Sequence, residues 1–127
     1  MGSQDNKHHL EALTIYDNLL KQTDLPLTWR HRTLYRKALS YQAMNQTQNA
    51  LAAYYQVINT DTSTHPITQW KWYFKSGFNT IAMLTELQKP AAAIAIAKKL
   101  AASKGPRAED AAHRARALEM KYMIWTE

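Results

Sequence analysis

The chain has 127 residues, of which 46% are apolar and 20% charged, a balance that supports one compact domain and does not suggest disorder. It contains no cysteine, which rules out disulfide scaffolds, thiolate zinc sites and cysteine nucleophiles. The formal net charge of +6 suits an acidic partner, nucleic acid or an anionic surface, and equally an ordinary solvated exterior.

The first residues (Met1-Gly2-Ser3-Gln4-Asp5-Asn6-Lys7) are polar and do not form a signal peptide. Met1-Gly2-Ser3 looks like a cloning remnant. Residues 1–6 are therefore expected to be a remnant or disordered, and the chain to be a piece of a longer protein whose export signal, if any, lies upstream. No apolar run approaches the roughly 18–20 residues that span a bilayer, so a soluble protein of unspecified compartment is expected.

Leu10, Leu13, Tyr16, Leu19 and Leu20 recur at helical spacing and predict a first helix over 7–22, with Asp5 or Asn6 as its cap. Thr23-Asp24-Leu25-Pro26 ends it. A second helix is predicted over 27–44, with Thr28 as cap and Leu34, Ala38 and Tyr41 on one stripe. Asn45-Gln46-Thr47 breaks the pattern. A third helix follows over 48–59, with Ala50, Tyr54 and Val57 on one face and Leu51, Tyr55 and Ile58 beside it, so it should be packed from two sides.

After a polar connector, Pro66 is placed as the first residue of a long fourth helix, 66–87. Gly77 inside it costs about 1 kcal/mol relative to alanine, which suggests that another backbone packs close. Lys89-Pro90 opens a fifth, alanine-rich helix over 90–103, and Lys104-Gly105-Pro106 stops it. A sixth runs over 107–125 with Ala111, Ala115, Leu118, Tyr122 and Trp125 in register. No stretch alternates with period two, so no strands are expected. The fold class is all-α, with about six helices in one domain over 1–127.

The two helical hairpins align on each other. Placing Ala50 on Ala93 puts Leu34 on Gly77, Ala38 on Ile81, Tyr41 on Leu84, Met44 on Leu87, Tyr54 on Ala97 and Val57 on Leu100. In the first copy, Leu34, Ala38, Tyr41, Asn45, Ala50, Tyr54 and Val57 follow an order of large, small, aromatic, turn, small, aromatic and small-apolar residues. This pattern resembles the tetratricopeptide repeat. The second copy is weaker, with Gly77, Ile81, Leu84, Gln88, Ala93, Ala97 and Leu100. Ala12, Tyr16 and Leu19 fit the second half of an earlier repeat, so the resemblance covers roughly 8–104. The spacings depart from the usual period of about 34: 38 residues separate Ala12 from Ala50 and 43 separate Ala50 from Ala93. The family's signature tryptophan and terminal proline are absent at the aligned positions.

The resemblance implies antiparallel hairpins stacked as a short right-handed α-solenoid, with the sixth helix as its solvating cap. It implies a scaffold that binds a partner protein or peptide in a concave groove. The groove positions carried over are Arg32, Tyr35, Arg36, Leu39 and Gln42 in the first copy, and Lys75, Phe78, Asn79 and Ala82 in the second. Their cations would favour an acidic partner. The alternative is a structural end segment of a larger solenoid with no ligand of its own, in which these residues are plain solvated helix faces.

Trp70, Trp72, Tyr73 and Phe74 cannot all enter one core, because helix neighbours point about 100° apart. They are either core residues of a wrapped helix or an aromatic interface. The stretch Trp29-Arg30-His31-Arg32 through Tyr35-Arg36-Lys37 interleaves aromatics and cations, which suits single-stranded nucleic acid, although no nucleic-acid-binding signature accompanies it. Catalysis is not expected. His8-His9 lacks a second ligand pair, His31, His65 and His113 are scattered, and there is no glycine-rich phosphate loop, so no metal and no cofactor are expected.

Overall fold

The computed structural model describes residues 3–61 and 69–124. Among these residues there are six helices and no strand: α1 (Ser3–Leu20), α2 (Leu27–Ala43), α3 (Thr47–Ile58), α4 (Lys71–Glu86), α5 (Pro90–Ala101) and α6 (Ala108–Tyr122). The chain divides into two compact units, Met1–Trp72 and Tyr73–Glu127. The first two residues of α4 thus belong to the first unit.

In the first unit α1 packs on α2, and α2 on α3. The helix α1 starts at Ser3, so the expected disorder over 1–6 gives way to helix from Ser3 onward. Asn6, expected as a cap, lies inside the first turns, as does Asp5. Leu13 is buried and Tyr16, Leu19 and Leu20 are half-buried, whereas Leu10 remains exposed. The last carbonyls of α1 have no helical partner of their own. The Arg30 guanidinium donates to the last of them, the Leu20 carbonyl (3.4 Å), and to the Gln22 carbonyl just beyond the helix (3.1 Å), which also accepts from Leu25 N–H.

The expected cap of α2 is also corrected. Pro26 holds the N-cap position without a side-chain hydrogen bond, and Thr28 sits one residue into the helix. Proline fits there because its fixed φ is ready for the turn that follows. The helix buries His31, Thr33, Leu34, Ala38 and Ser40. Its partner α3 buries Ala50, Leu51, Ala53, Tyr54, Val57 and Ile58, which is the two-stripe burial its sequence predicts. The Tyr54 hydroxyl donates a short hydrogen bond to the Gln42 side-chain oxygen, so a fully buried phenol is satisfied within the hairpin.

The second unit repeats the hairpin turn of the first. Asn45 and Gln88 both adopt left-handed backbone, with φ of 60° and 58°. Gln46 N–H donates to the Tyr41 carbonyl at 2.8 Å, and Lys89 N–H to the Leu84 carbonyl at 2.9 Å. Asn45 N–H reaches the Gln42 carbonyl and Gln88 N–H the Thr85 carbonyl, both at 3.0 Å. These pairs close the carbonyls at the ends of α2 and α4. The helices that follow, α3 and α5, are both 12 residues long. They begin and end at the same offset of 43 residues on which the sequence aligns.

The fourth helix is shorter than predicted. It starts at Lys71, while Gln69 and Trp70 precede it in non-helical backbone; Pro66 and His65 lie outside the described residues. Tyr73, Phe74, Ser76, Gly77, Thr80, Ile81, Met83 and Leu84 are buried. A Cβ added to Gly77 would collide with the Leu100 side chain, so what comes close to this glycine is a side chain of α5 and not the backbone expected from the sequence. α5 buries Ala93, Ile94, Ala97 and Leu100, and packs on α6. Lys104, with φ of 65°, turns the chain toward α6, which buries Ala111, Ala115 and Leu118. Left-handed Met123 ends α6, and Trp125 lies outside the described residues. No helix among the described residues is long and apolar enough to cross a membrane.

Candidate functional site

The basic helix α2 carries Arg30, Arg32, Arg36 and Lys37, and they have different fates. Arg30 is engaged with the end of α1 as described. Lys37 pairs with Asp17 of α1 at 2.8 Å. Both therefore hold α1 against α2. Arg32 and Arg36, one turn apart on the same face, form no hydrogen bond or ion pair among the described residues.

Around them lies an open pocket of about 300 Å³, lined by Thr28, Trp29, Arg32, Arg36, Gln69, Lys71 and Trp72. Its walls are residues 28–36 of α2 and residues 69–72 at the start of α4, all within the first unit. Arg32 lies over the Trp29 indole at 5.2 Å and the Trp72 indole at 5.9 Å from the ring centroids. Lys71 Nζ lies 4.8 Å from the Trp72 centroid. Tyr35 also packs against Trp72, with centroids 5.5 Å apart, and against Tyr54 at 6.1 Å. Such cation–π contacts hold the cations beside the indoles without using up their N–H donors.

Three sequence candidates thereby become one site. The groove residues Arg32, Tyr35 and Arg36, the aromatic Trp72 and the basic-aromatic Trp29 converge at this pocket or on its wall. Leu39 is exposed further along α2, while Gln42 is half-buried and committed to Tyr54. Lys71 and Gln69 were not singled out in the sequence. They enter because α4 begins at Lys71, a boundary masked in the sequence by the apparent start at Pro66.

The aromatic segment splits as the helical geometry requires. Tyr73 and Phe74 are 2% and 1% exposed, so both are core residues and neither offers a surface to a partner. Burial also raises the Tyr73 pKa. Trp70 and Trp72 are half-buried.

In the second unit Phe78 is half-buried, with Arg107 Cζ 4.3 Å and Arg114 Cζ 5.9 Å from its ring centroid and Phe74 stacked at 6.3 Å. Its face is thus covered from within the unit by α6 and the residue before it. Lys75 and Ala82 are exposed and Asn79 is half-buried.

A second feature of α2 escaped the sequence reading. His31 is 1% exposed, and its Nε2 lies 2.9 Å from the Thr60 hydroxyl just after α3. Its Nδ1 is buried with no hydrogen-bond partner. Burial, helped by the charge of neighbouring Arg30, lowers its pKa from 6.5 to about 4. The imidazole is neutral and ties α2 to the end of α3. Among the described residues no group of three or more His, Asp or Glu side chains is placed to hold a metal ion.

No protein-family model, curated protein or solved structure matches this chain.

Proposed function

We propose that this protein is a tetratricopeptide-like scaffold that binds a partner protein or peptide on the exposed face of α2 and the start of α4, and that it is not an enzyme. The observation that carries this reading is the pocket where Arg32, Arg36 and Lys71 stand beside two indoles without ion-pair partners among the described residues. Arginine and tryptophan are the side chains that most often dominate interface energetics. The recurrence of one hairpin turn and one 12-residue helix at a fixed offset supports a repeat architecture. The test is capture of a partner from a lysate of the parent organism, its identification, and titration of the purified partner. Replacing Tyr35 and Arg36 together with alanine abolishes binding, with the helical circular dichroism spectrum retained. Unchanged affinity in that variant removes the groove assignment.

One observation favours a second reading, a structural segment of a larger helical array. Leu10 and Ile15 stand 55% and 60% exposed on α1. This reading expects hydroxyl-radical footprinting of the full gene product to show both side chains protected. Equal labelling in the long and short proteins would remove it.

A further inference from the structure

We propose that the pocket at the start of α2 is a phosphate site, and that its ligand is a phosphorylated serine or threonine of a partner peptide. Three cationic side chains, Arg32, Arg36 and Lys71, line one cavity of about 300 Å³ and have no acidic partner among the described residues. A carboxylate brings one negative charge to them, whereas a phosphate monoester brings between about 1.5 and 2 charges and three strong acceptor oxygens. Two guanidinium forks, one ammonium and the Gln69 amide match that number of acceptors in a way a lone carboxylate cannot.

The surroundings have the same sign. The pocket opens at the electropositive starts of α2, through Thr28 and Trp29, and of α4, through Lys71 and Trp72, and extends along α2 to Arg36; neither first turn contains an acidic residue. Everywhere else on α2 the cations are already committed: Arg30 to carbonyls of the α1 end and Lys37 to Asp17. The indoles orient the site. The Arg32 guanidinium carbon lies 5.2 Å from the Trp29 ring centroid and 5.9 Å from that of Trp72, and these contacts restrict the side chain before any ligand arrives.

Nucleic acid shares the phosphate chemistry but needs free aromatic faces for its bases. Trp72 is engaged by Tyr35, Arg32 and Lys71, and Arg32 also lies over Trp29. The cations cluster in one pocket rather than tracking along a strand. A single phosphate on a peptide fits better, and it gives the scaffold a partner whose binding depends on modification. That peptide source rests on the scaffold reading; the phosphate site rests on the pocket alone.

The experiment follows the Arg32 and Arg36 Nε–H resonances of the whole chain by NMR during titration. The probes are a capped Ala-Ala-Ser-Ala-Ala peptide carrying phosphoserine, its unmodified and glutamate versions, inorganic phosphate, and a thymidine decanucleotide. The phosphopeptide gives saturable shifts at both arginines. The unmodified peptide gives none, and the glutamate peptide binds at least about tenfold more weakly. Arg36→Glu, at an exposed position, and Arg32→Lys, which keeps the charge and removes the fork, each weaken the phosphopeptide about tenfold or more with an unchanged thermal midpoint. Equal binding of the glutamate peptide, no shift at either arginine with any phosphate probe, or tighter binding of the decanucleotide would each overturn the proposal, and shifts with inorganic phosphate but none with the phosphopeptide would overturn its peptide ligand. Failure here leaves the scaffold reading standing if the Tyr35 and Arg36 variant still loses its identified partner. If that variant keeps its partner while the phosphopeptide binds, the scaffold reading fails and the phosphate site stands.

Discussion

The hairpins α2–α3 and α4–α5 close with the same turn and fill their interiors in opposite ways. In the first, a large residue stands on each helix, with Leu34 on α2 and Tyr54 on α3. In the second, the aligned positions hold Gly77 and Ala97, and Leu100 reaches across to the glycine. The first hairpin also carries polar ties, Tyr54 to Gln42 and His31 to Thr60, which the second lacks at the aligned Ala97, Thr85 and Phe74. The turn is therefore a backbone solution that tolerates different residues, Asn45 in one copy and Gln88 in the other. The packing is a side-chain solution reached separately in each unit.

Exchanging residues between the copies breaks this equivalence most strongly at the aromatic. Tyr54→Ala, which installs the residue of the second hairpin, costs about 3–5 kcal/mol in denaturant unfolding, because a fully buried ring leaves a cavity and Gln42 loses its donor. An effect below about 1 kcal/mol would mean that α3 is not packed from two sides.

Acid acts next, and on the first hairpin. The folded-state pKa of His31 lies near 4, below its unfolded value of 6.5, so the unfolded chain binds more protons between these pH values. The stabilisation is complete above about pH 6.5 and is lost as the pH falls toward 4, on the order of 2–3 kcal/mol. Comparing the pH dependence of the protein with that of His31→Gln isolates this loss from the carboxylates. Parallel curves would show that His31 does not titrate with unfolding.

Gly77→Ala comes third. Alanine gains up to about 1 kcal/mol of helix propensity but forces Leu100 to move, for a net loss of about 1–2 kcal/mol. A double variant with Leu100→Ala recovers part of the loss at Gly77 if the collision is the cause. The smallest effect sharpens the turn comparison. Gln88→Gly removes the left-handed strain of a side chain and stabilises the second hairpin by about 0.5–1 kcal/mol, measured as a raised midpoint.

The elements were legible where a local rule specified them. The alternation of Ala50, Tyr54 and Val57 with Leu51 and Ile58 predicted a doubly packed α3, and the lone Gly77 predicted a close contact. The aligned hairpins predicted a repeat, and its turn recurs in backbone hydrogen bonds. The start of α4 was not legible, because a proline after a polar connector reads as a helix start whether or not the chain uses it. The pocket beside Arg32 and Arg36 was missed with it. Its walls come from α2 and from the start of α4, more than forty residues on from the start of α2, and periodicity within one helix cannot say which segments meet. His31 was hidden for a related reason: its burial comes from Thr60 and the end of α3, not from its own neighbours.

The account turns on whether the α2 face is where a partner is held. A photo-crosslinking amino acid placed at exposed Leu39 of α2, and in a second protein at exposed Ala52 on α3, reads this directly once the partner is in hand. The prediction is an adduct with the partner from position 39 and none from position 52, the adduct disappearing with Arg36→Glu. Equal adducts from both positions, or one from position 52 alone, would contradict it.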